Sequence, residues 1–511
     1  MIKKFIFTIL LLTLVMPCYA LTNHKQTEKN QGIFLNYNDL VQLSQTVKPE
    51  GELLEKFDKQ LNTLLIVQPN ESSQLLYSPS LHEFFRVASW NIERGFNVDR
   101  INEIIKYSKD ITTSDDLKEQ LTVFSEASII VLNEVDLGIP RTNYENIAKK
   151  IADVFKMGYV FGTEFIELDP YQLGVKKFTD QERIFLEPQA LEQLDNIKKD
   201  KYHGLHGTAI LSKYPILNAK IIRLPDCYNW YLEESNKLSA IELIRRGTAK
   251  TIFSEKILSE LRHGGRMAIV ADLMLPNNQK ITVVATHLEN RCLPKCRLEQ
   301  FQFLLNRLRN IKNPLILAGD LNTTGTDVSP TSVKKEVLKK VKDPEFIAKQ
   351  AILSLTPVTF VQNVVLGTVN KVRQFKDPTI RHIPIVFPNK EREIFDLIKE
   401  FRFNDGNAFD IRSTSERSSN VGHGLFSNSN ERELKGFKAT FELERHFGIA
   451  KYKLDWIFVK PSNLKNPNDK NSSYTYAPHF GRTLNLINRS FGKISDHDPI
   501  IVDIPVSEPK N

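Results

Sequence analysis

Six groups of polar residues stand at the ends of apolar segments, and their residue types are those of a catalytic centre. They lie in residues 89–95, 129–136, 284–288, 316–322, 453–457 and 495–500. Together they offer several carboxylates, two amides and two histidines, which we expect to converge on one site. Phosphoryl transfer needs such a set, because it requires a metal ion to neutralise the phosphate, a base for the attacking water and donors for the developing charge.

The spacing within these groups indicates how the side chains are presented. Asn91 and Glu93 are two positions apart after an apolar segment, so an extended chain places them on the same side. Glu134 is the first charged residue after a fully apolar run. A carboxylate at the end of a buried strand needs a partner, and a hard cation such as Mg²⁺ or Mn²⁺ is a natural one. Two carboxylates flank His497 just before the last apolar run.

The elements that must position these residues are predicted from hydrophobic patterns. Short apolar or β-branched runs predict strands at 85–90, 128–132, 159–161, 209–212, 267–275, 281–286, 315–318, 456–459 and 500–504. Helical spacing occurs at 100–108, 143–155 and 297–311, and Pro294 is placed to begin the last of these helices. Residues 21–82 form a polar N-terminal extension with helical spacing at 39–43 and 53–65. The catalytic domain is therefore expected at 83–507.

Three long segments interrupt this catalytic domain, at residues 166–203, 229–264 and 324–450. Connections of this length are uncommon unless they carry structure or function, so we interpret them as structured insertions. Within the last one, residues 334–342 predict a basic amphipathic helix, for which a solvated face is favoured over a phosphate or membrane contact. Residues 413–433 are rich in Ser, Asn, Arg and Glu and predict a mobile loop.

The N-terminus has the pattern of a secretory signal peptide. Lys3 and Lys4 precede the apolar run 5–16, and small residues follow up to Ala20, after which we expect cleavage. A lipid anchor on Cys18 is the alternative, but Pro17 stands where such sites want a small residue. No later segment has ~18 consecutive apolar residues, so no transmembrane segment is expected. The predicted location is secreted or periplasmic.

Composition and charge exclude some classes of protein but do not define a substrate. The chain has 511 residues, 41% hydrophobic and 25% charged, which excludes a fibrous or wholly disordered protein. The formal net charge is +8, and removal of residues 1–20 with their two lysines would leave +6. An excess this small favours anionic partners such as nucleic acid or acidic lipid only mildly.

Three cysteines remain after the predicted signal peptide, namely Cys227, Cys292 and Cys296. Cys292 and Cys296 are four apart at the expected start of a helix, where a disulfide with a short loop is sterically feasible. We therefore predict a Cys292–Cys296 disulfide in an oxidising compartment, ahead of free thiols. A zinc site is the least favoured alternative, because no further Cys or His lies nearby in register.

The motifs, taken in order, resemble those of the endonuclease/exonuclease/phosphatase superfamily, which includes deoxyribonuclease I, abasic-site endonucleases, neutral sphingomyelinases and inositol polyphosphate phosphatases. The matching segments are 90–93, 133–136, 207–212, 286–288, 319–322, 454–456 and 495–499, spread over residues 84–505. The resemblance implies an α+β fold, a four-layer α/β/β/α sandwich of two mixed sheets like that of deoxyribonuclease I. Its active site would lie where the strand ends converge.

The resemblance also implies roles for individual residues. Glu134 matches the metal-binding glutamate, Asn91 the amide beside the metal, Glu93 an auxiliary acidic ligand and Asp496 a second-metal ligand, for Mg²⁺ or Mn²⁺. Asp320 matches the aspartate that acts on the attacking water, Asn322 a phosphate contact, His497 the imidazole that acts on the phosphate, and Asp455 the acid that orients it. His287 resembles a second active-site histidine, and Arg141 is a further candidate for substrate contact.

One position departs from the family pattern. Thr208 stands where relatives often carry Asn, and its single hydroxyl is a shorter substitute for that phosphate contact. His206 could partly replace the contact, although we favour a structural histidine there.

The expected activity is hydrolysis of phosphodiester bonds in nucleic acid, with phospholipid phosphodiesterase, of the sphingomyelinase type, or small-molecule phosphatase as alternatives. Anionic lipid is accordingly a second candidate partner, and a monomer is expected. A secreted binding or scaffold protein on a catalytically dead version of the fold would lack at least one key residue. Glu134, Asp320, Asn322, Asp455 and His497 are all present.

Overall fold

The described part of the protein folds around two facing β-sheets. The computed structural model describes residues 32–101, 103–104, 108, 115–183, 192, 195–235, 260–323, 392–412, 440–442, 451–490 and 492–510. The predictions for residues 1–20, 334–342 and 413–433 lie outside this part of the chain, as does most of the helix expected at 100–108.

The sixteen strands of the described residues include the nine that the apolar runs predict, several of them longer than predicted, and seven that were not predicted. They are β1 (Leu65–Val67), β2 (Leu76–Ser78), β3 (His82–Arg94), β4 (Ile129–Leu137), β5 (Gly158–Glu167), β6 (Leu205–Ser212), β7 (Ile216–Arg223), β8 (Arg262–Gly264), β9 (Met267–Met274), β10 (Lys280–Thr286), β11 (Leu315–Asp320), β12 (Phe441–Glu442), β13 (Lys451–Tyr452), β14 (Asp455–Lys460), β15 (His479–Thr483) and β16 (Ile500–Pro505).

Most of the helices contribute apolar residues to the cores on the outer faces of the sheets. Those of the described residues are α1 (Tyr37–Ser44), α2 (Gly51–Asn62), α3 (Asp115–Ser125), α4 (Ile147–Phe155), α5 (Asp180–Arg183), α6 (Trp230–Ser235), α7 (Pro294–Leu308), α8 (Arg392–Glu400) and α9 (Asn485–Ser490). Pro294 does begin α7, whereas α4 begins four residues later than predicted, after Asn146. Asn143 and Tyr144 have positive φ there, which prevents an earlier start.

The larger sheet has nine strands, in the order β1-β5-β6-β4-β3-β16-β15, with β2 beside β3 and β8 beside β5. Its central pair, β3 and β4, is parallel, and its other pairs are antiparallel. Alternation along β6 shows how sequence sets the layers: Ala209 and Leu211 join the helix-covered core, and Ile210 joins the core between the sheets.

The smaller sheet has five strands, in the order β14-β11-β10-β9-β7, and β10 and β11 are its parallel pair. Gly319 lets these two strands approach closely, since a Cβ there would lie 1.9 Å from the Thr286 carbonyl oxygen. The outer face of this sheet packs on α7 and α8 through residues such as Phe301 and Phe395. Three apolar cores thus separate four layers, which confirms the expected α/β/β/α sandwich of two mixed sheets.

The N-terminal extension is helical only in its first part. The helical spacing at 53–65 ends with α2 at Asn62, and β1 and β2 then join the larger sheet. β1 pairs with residues 159–161 of β5, and β8, from the second insertion, pairs with residues 165–167 of the same strand. No helix among the described residues is long and apolar enough to span a membrane.

Candidate active site

The two parallel strand pairs bring the predicted polar clusters to one edge of the sandwich. In the larger sheet Asn91 is aligned with Asn133, directly before Glu134. In the smaller sheet Asp320 ends β11 opposite Asp455 at the start of β14. His287 follows β10, which runs parallel to β11. The carboxyl ends of parallel strands share an edge, so these side chains meet there.

Asp455 and His497 form a buried pair at the centre of this edge. Asp455 Oδ2 lies 2.7 Å from His497 Nδ1, and the histidine backbone is held by Trp90 and Ser495. Burial opposes a charge on the imidazole, but Asp455, Asp496 and Asp320 raise the pKa of His497 well above its usual value. The ring is therefore an imidazolium with Nε2 directed towards Asp320, 3.9 Å from Oδ2.

Asp320 is fixed by three hydrogen bonds. Its Oδ2 accepts from Asn91 Nδ2 at 3.0 Å, its Oδ1 from the Asn322 amide at 2.7 Å, and its own backbone N–H donates to Asn133 Oδ1 at 2.8 Å. Burial and the Asp455 carboxylate raise the pKa of Asp320 to about 6. A carboxylate with a pKa in this range can accept a proton near neutral pH.

Three carboxylates crowd the neighbouring region, namely Glu93, Glu134 and Asp496. Asn91 Nδ2 lies 3.3 Å from Glu134 Oε1, and Asn91 Oδ1 accepts from the Glu93 amide at 3.1 Å. Burial, Asp496 and Glu134 raise the pKa of Glu93 to about 7. The pKa of Asp496 is raised by burial and by Glu134. Like charges at this density require a positive partner.

Backbone geometry helps to place these acids. Glu93 and Glu134 adopt φ of 46° and 54°, and the β3–β4 register shifts between Asn91 and Arg94. A second shift, in the β4–β6 pairing, lies between Leu132 and Val135. Bulges re-aim side chains next to active sites, and left-handed backbone at non-glycine residues persists where the surroundings enforce it.

His287 differs from His497 in its charge state. Its Nδ1 lies 2.8 Å from Arg266 NH1, and burial and this guanidinium lower the pKa of His287 well below its usual value. Arginine can only donate, and it faces Nδ1. The other ring nitrogen, Nε2, lies 3.0 Å from Asn322 Nδ2, which is also a donor, and 3.7 Å from Asp320 Oδ2. Glu164 in turn accepts from Arg266 at 2.8 Å.

Arg266 was not identified from the sequence, although a signal exists. Residues 267–275 and 281–286 are adjacent strand predictions, and they pair antiparallel with Ala268 opposite Thr286. This register places Arg266, just before β9, beside the residues that follow β10. A hairpin assumed between the two runs would therefore have indicated a cation next to His287.

The two predicted substrate contacts, Thr208 and Arg141, are engaged by the protein itself. Thr208 is fully buried; its hydroxyl donates to Glu164 Oε1 at 2.5 Å and accepts from Asn133 Nδ2 at 3.1 Å. The hydroxyl thus both donates and accepts a hydrogen bond within the protein, so Thr208 supports Asn133 and does not face a ligand. Arg141 binds Asp136 through two nitrogens, at 2.7 and 2.9 Å.

The end of the third insertion reaches the site. Thr440 accepts from the Asp498 amide through its carbonyl oxygen at 2.7 Å and from the Leu454 amide through its hydroxyl at 3.3 Å. The Phe441 ring centroid lies 5.0 Å from that of His497. Thr440 thus connects the two segments that carry Asp455 and His497, a role that short-range sequence patterns do not reveal.

The predicted Cys292–Cys296 disulfide is wrong. Cys296 bonds to Cys227, 69 residues away, with the two Cα atoms 5.9 Å apart, and Cys292 is not part of a disulfide. Cys296 lies inside the first turn of α7, whereas Cys292 precedes the helix and directs its sulfur to the Glu289 carbonyl oxygen at 3.3 Å. The loop before α6 brings Cys227 to the helix instead.

Two sets of residues could hold a metal ion. Among the described residues, Asp320, Asp455 and His497 offer three ligand atoms within 4.8 Å of one another, and Asp455 Oδ1 is buried with no hydrogen-bond partner. His497 is an imidazolium bonded to Asp455, however, which disfavours coordination by its ring. The predicted set of Glu134, Asn91, Glu93 and Asp496 has the oxygen ligands that Mg²⁺ or Mn²⁺ prefers. A cation would relieve the raised pKa values of Glu93 and Asp496, whereas nearby cationic groups of the protein already lower the pKa of Glu134.

Comparison with known proteins gives one family match. Residues 88–497 match the sequence model of the Endonuclease/Exonuclease/phosphatase family. A comparison with curated protein sequences finds no match.

Several solved structures are similar at low sequence identity. An endonuclease/exonuclease/phosphatase from Beutenbergia cavernae is 15% identical, with 83% of this chain and 72% of that chain covered and a TM-score of 0.36. The catalytic domain of human Nocturnin with a bound sulfate anion is 15% identical, with 86% and 96% covered and a TM-score of 0.34. A 3′ phosphatase from Neisseria, bound to a product DNA hairpin, is 12% identical, with 82% and 99% covered and a TM-score of 0.36.

Proposed function

The chain belongs to the endonuclease/exonuclease/phosphatase family, and on that premise we propose that it is a divalent-metal-dependent hydrolase of phosphodiester bonds in nucleic acid. The observation that carries the proposal is the continuous set of contacts from Asp455 through His497 to Asp320, and from Asp320 through Asn91 to Glu134. This set joins an imidazolium, a carboxylate that can take a proton and a group of acids suited to a metal ion.

The protein's own groups divide the work of an in-line hydrolysis. Asp320 orients the attacking water and accepts its proton, which agrees with a carboxyl pKa raised to about 6. His497 donates from Nε2 to the phosphate oxygen that gains charge, and Asp455 holds the ring in place through Nδ1. His287, kept neutral by its lowered pKa, supplies a second imidazole at this edge without adding positive charge.

Glu134, Asn91, Glu93 and Asp496 would hold the metal ion. When bound, a divalent ion neutralises the phosphate and polarises its oxygens. The oxygen donors in this set support Mg²⁺ or Mn²⁺ over softer metals.

Nucleic acid is the proposed substrate because its phosphates match the charge of the chain. The formal net charge is +8, a mild excess. A polyanion gains from such an excess in association rate and affinity.

The test is a substrate panel on the purified mature protein. We expect cleavage of plasmid DNA or RNA in Mg²⁺, none in EDTA, and recovery when Mg²⁺ is restored. Sphingomyelin vesicles test the lipid alternative, and inositol phosphates test the small-molecule alternative. Cleavage of only one of these two substrates would show that it, and not nucleic acid, belongs to the substrate class of the enzyme.

Two variants make the panel decisive. His497→Ala should abolish activity while Asp396→Asn, on the outer helix α8, should leave it unchanged. Full activity of His497→Ala on every substrate, or no metal-dependent activity of the natural chain on any, would refute the proposed function.

We also propose that the protein is exported by cleavage after Ala20. The charged, apolar and small-residue pattern of residues 3–20 supports this, and so does the Cys227–Cys296 disulfide, because disulfides persist in oxidising compartments. N-terminal sequencing of the protein recovered outside the cytoplasm should begin at Leu21. An uncleaved terminus would contradict the proposal.

A further inference from the structure

A third histidine, His206, lies on the site face of the larger sheet. It is two residues before Thr208 and four before Ile210, and Ile210 packs between the sheets. Alternation therefore places all three side chains on the face that meets the smaller sheet. Thr208 already contacts Asn133, whose side chain also accepts from the Asp320 amide.

Strand direction sets His206 beside Glu134. β6 runs antiparallel to β4, with Gly207 opposite Val135 and His206 opposite Asp136. Thr208 therefore lies near Asn133, and His206 lies further along β4, beyond Glu134 and close to the carboxyl end of that strand. His206 is thus closer to the carboxyl end of β4 than Thr208 and Asn133, the residues that support Asp320.

The orientation of the ring is fixed through one nitrogen. His206 Nδ1 lies 2.8 Å from Asp136 Oδ1, and Asp136 is held by the two nitrogens of Arg141. Arg141 also lies 3.4 Å from Glu167. His206 is 2% exposed and Asp136 is fully buried. This matches the Asp455–His497 pair, in which a buried carboxylate orients an imidazole for chemistry at the other nitrogen.

The second nitrogen is left for another partner. Within the described part of the chain, His206 Nε2 makes no hydrogen bond to the protein. A histidine with a purely structural role on a buried strand is expected to satisfy both nitrogens internally, as most buried polar groups do. The prediction of a structural histidine therefore accounts for Nδ1 but not for Nε2.

We propose that His206 is a substrate-contacting residue, held through Nδ1 by Asp136 and Arg141, whose Nε2 contacts the bound phosphoester beside Glu134. The inference rests on the proposed function. It assigns a phosphate contact to β6 two residues away from Thr208, which cannot make one. Asp136 and Arg141 are then positioning residues that act through this ring.

Two substitutions separate substrate contact from a structural role. The side-chain amide of His206→Asn occupies the position of Nδ1 and keeps the contact with Asp136, whereas that of His206→Gln occupies the position of Nε2. With bis(4-nitrophenyl) phosphate as probe, we expect His206→Asn to raise KM and lower kcat/KM about 10- to 100-fold. His206→Gln keeps a polar group at the Nε2 position but loses the contact with Asp136, so its rise in KM should be less than about tenfold and smaller than that of His206→Asn. A structural histidine predicts the reverse order, and that result would overturn the proposal.

Binding of inorganic phosphate to the Mg²⁺-loaded protein, measured by calorimetry, gives a readout independent of turnover. We expect about tenfold weaker phosphate binding for His206→Asn and no change for His82→Asn, at the far end of β3, where φ of 56° suits asparagine. Equal phosphate affinity of His206→Asn and the natural chain would refute the inference. If His206→Asn fails to fold, a tenfold rise in KM for His206→Gln would refute it instead.

Failure of the proposed function looks different. In that case the natural chain would not hydrolyse the probe at all, whereas failure of the His206 inference alone leaves the natural chain active and metal-dependent.

Discussion

Asp455 Oδ2 lies 2.7 Å from His497 Nδ1, and this contact joins the first residue of β14 to a segment 42 positions later in the chain. The carboxylate is fully buried and the imidazole is 4% exposed. The contact fixes which nitrogen of His497 faces Asp320, and it is the main source of the positive charge on the ring.

Asp455→Asn should therefore lower kcat by about 10³- to 10⁴-fold with little effect on secondary structure, since an amide neither stabilises the imidazolium nor selects the same tautomer. Steady-state kinetics against a phosphodiester, with circular dichroism as the folding check, measures this. The surface variant Asp396→Asn is the matched control. Activity of Asp455→Asn within tenfold of the natural chain would show that the pair is structural.

Removal of the Arg266–Glu164 pair should change the protonation of His287. Burial and Arg266 lower the pKa of His287, so the double variant Arg266→Gln, Glu164→Gln should raise it. A titration of the histidine ring signals by NMR would follow this change. The single variant Arg266→Gln leaves carboxylates buried without their cation and should cost about 3–5 kcal/mol in unfolding free energy, more than the double variant. An unchanged His287 titration would show that Arg266 does not lower the pKa of this ring.

Asp136 should contribute an acid-sensitive part of stability. Burial opposes its charge, but Arg141 and His206 lower its pKa to about 2 in the folded protein, against an ordinary value of 3.8. A depressed pKa stabilises the folded state above pH ~4, and the stabilisation of about 2 kcal/mol is lost as the pH falls towards ~2. Urea unfolding between these pH values should show a shallower decline for Asp136→Asn than for the natural chain. Parallel declines would indicate that Asp136 is protonated normally.

The disulfide should be a large stabilising element, and the third cysteine should not. Cys227–Cys296 closes a loop of 69 residues, so the double serine variant should lose about 4 kcal/mol in the chain-entropy estimate. Cys292→Ser should change the unfolding free energy by less than about 0.5 kcal/mol, as partly exposed sites usually do. Peptide mapping without reduction should recover the 227–296 cross-link. A recovered 292–296 peptide would instead restore the sequence-based pairing.

The strands that hold the site and the edge where it lies were predictable, because each of these strands contains a short apolar run and each polar cluster lies directly at the end or the start of one. β4 illustrates this: the apolar run before Glu134 defines the strand, and the first charge marks its end. The family resemblance implied that strand ends converge on one site, whereas the parallel pairing that makes two such ends meet is seen only in the structure, since no local pattern encodes it.

The remaining details depend on register between distant strands. Glu134 enters the site through a bulge and a left-handed backbone, neither of which its neighbours in sequence indicate. The Thr208 hydroxyl donates to Glu164, which lies on the adjacent strand 44 positions earlier in the chain, and is therefore not available to a ligand. Cys227 reaches α7 only because the loop after β7 folds back towards it. Each of these is set by where two remote segments meet.

The outer edge of β5 also matters for how the chain behaves when shortened. β1 pairs with residues 159–161 and β8 with residues 165–167, so both ends of this edge are covered by short strands. A truncation at residue 83, which the domain boundary alone would recommend, would uncover the backbone donors and acceptors of β5 in a sequence of tyrosine, valine and phenylalanine. Exposed edges of this composition recruit other chains. β1, which lies away from the catalytic edge, thus protects the edge of β5 from pairing with other copies of the chain.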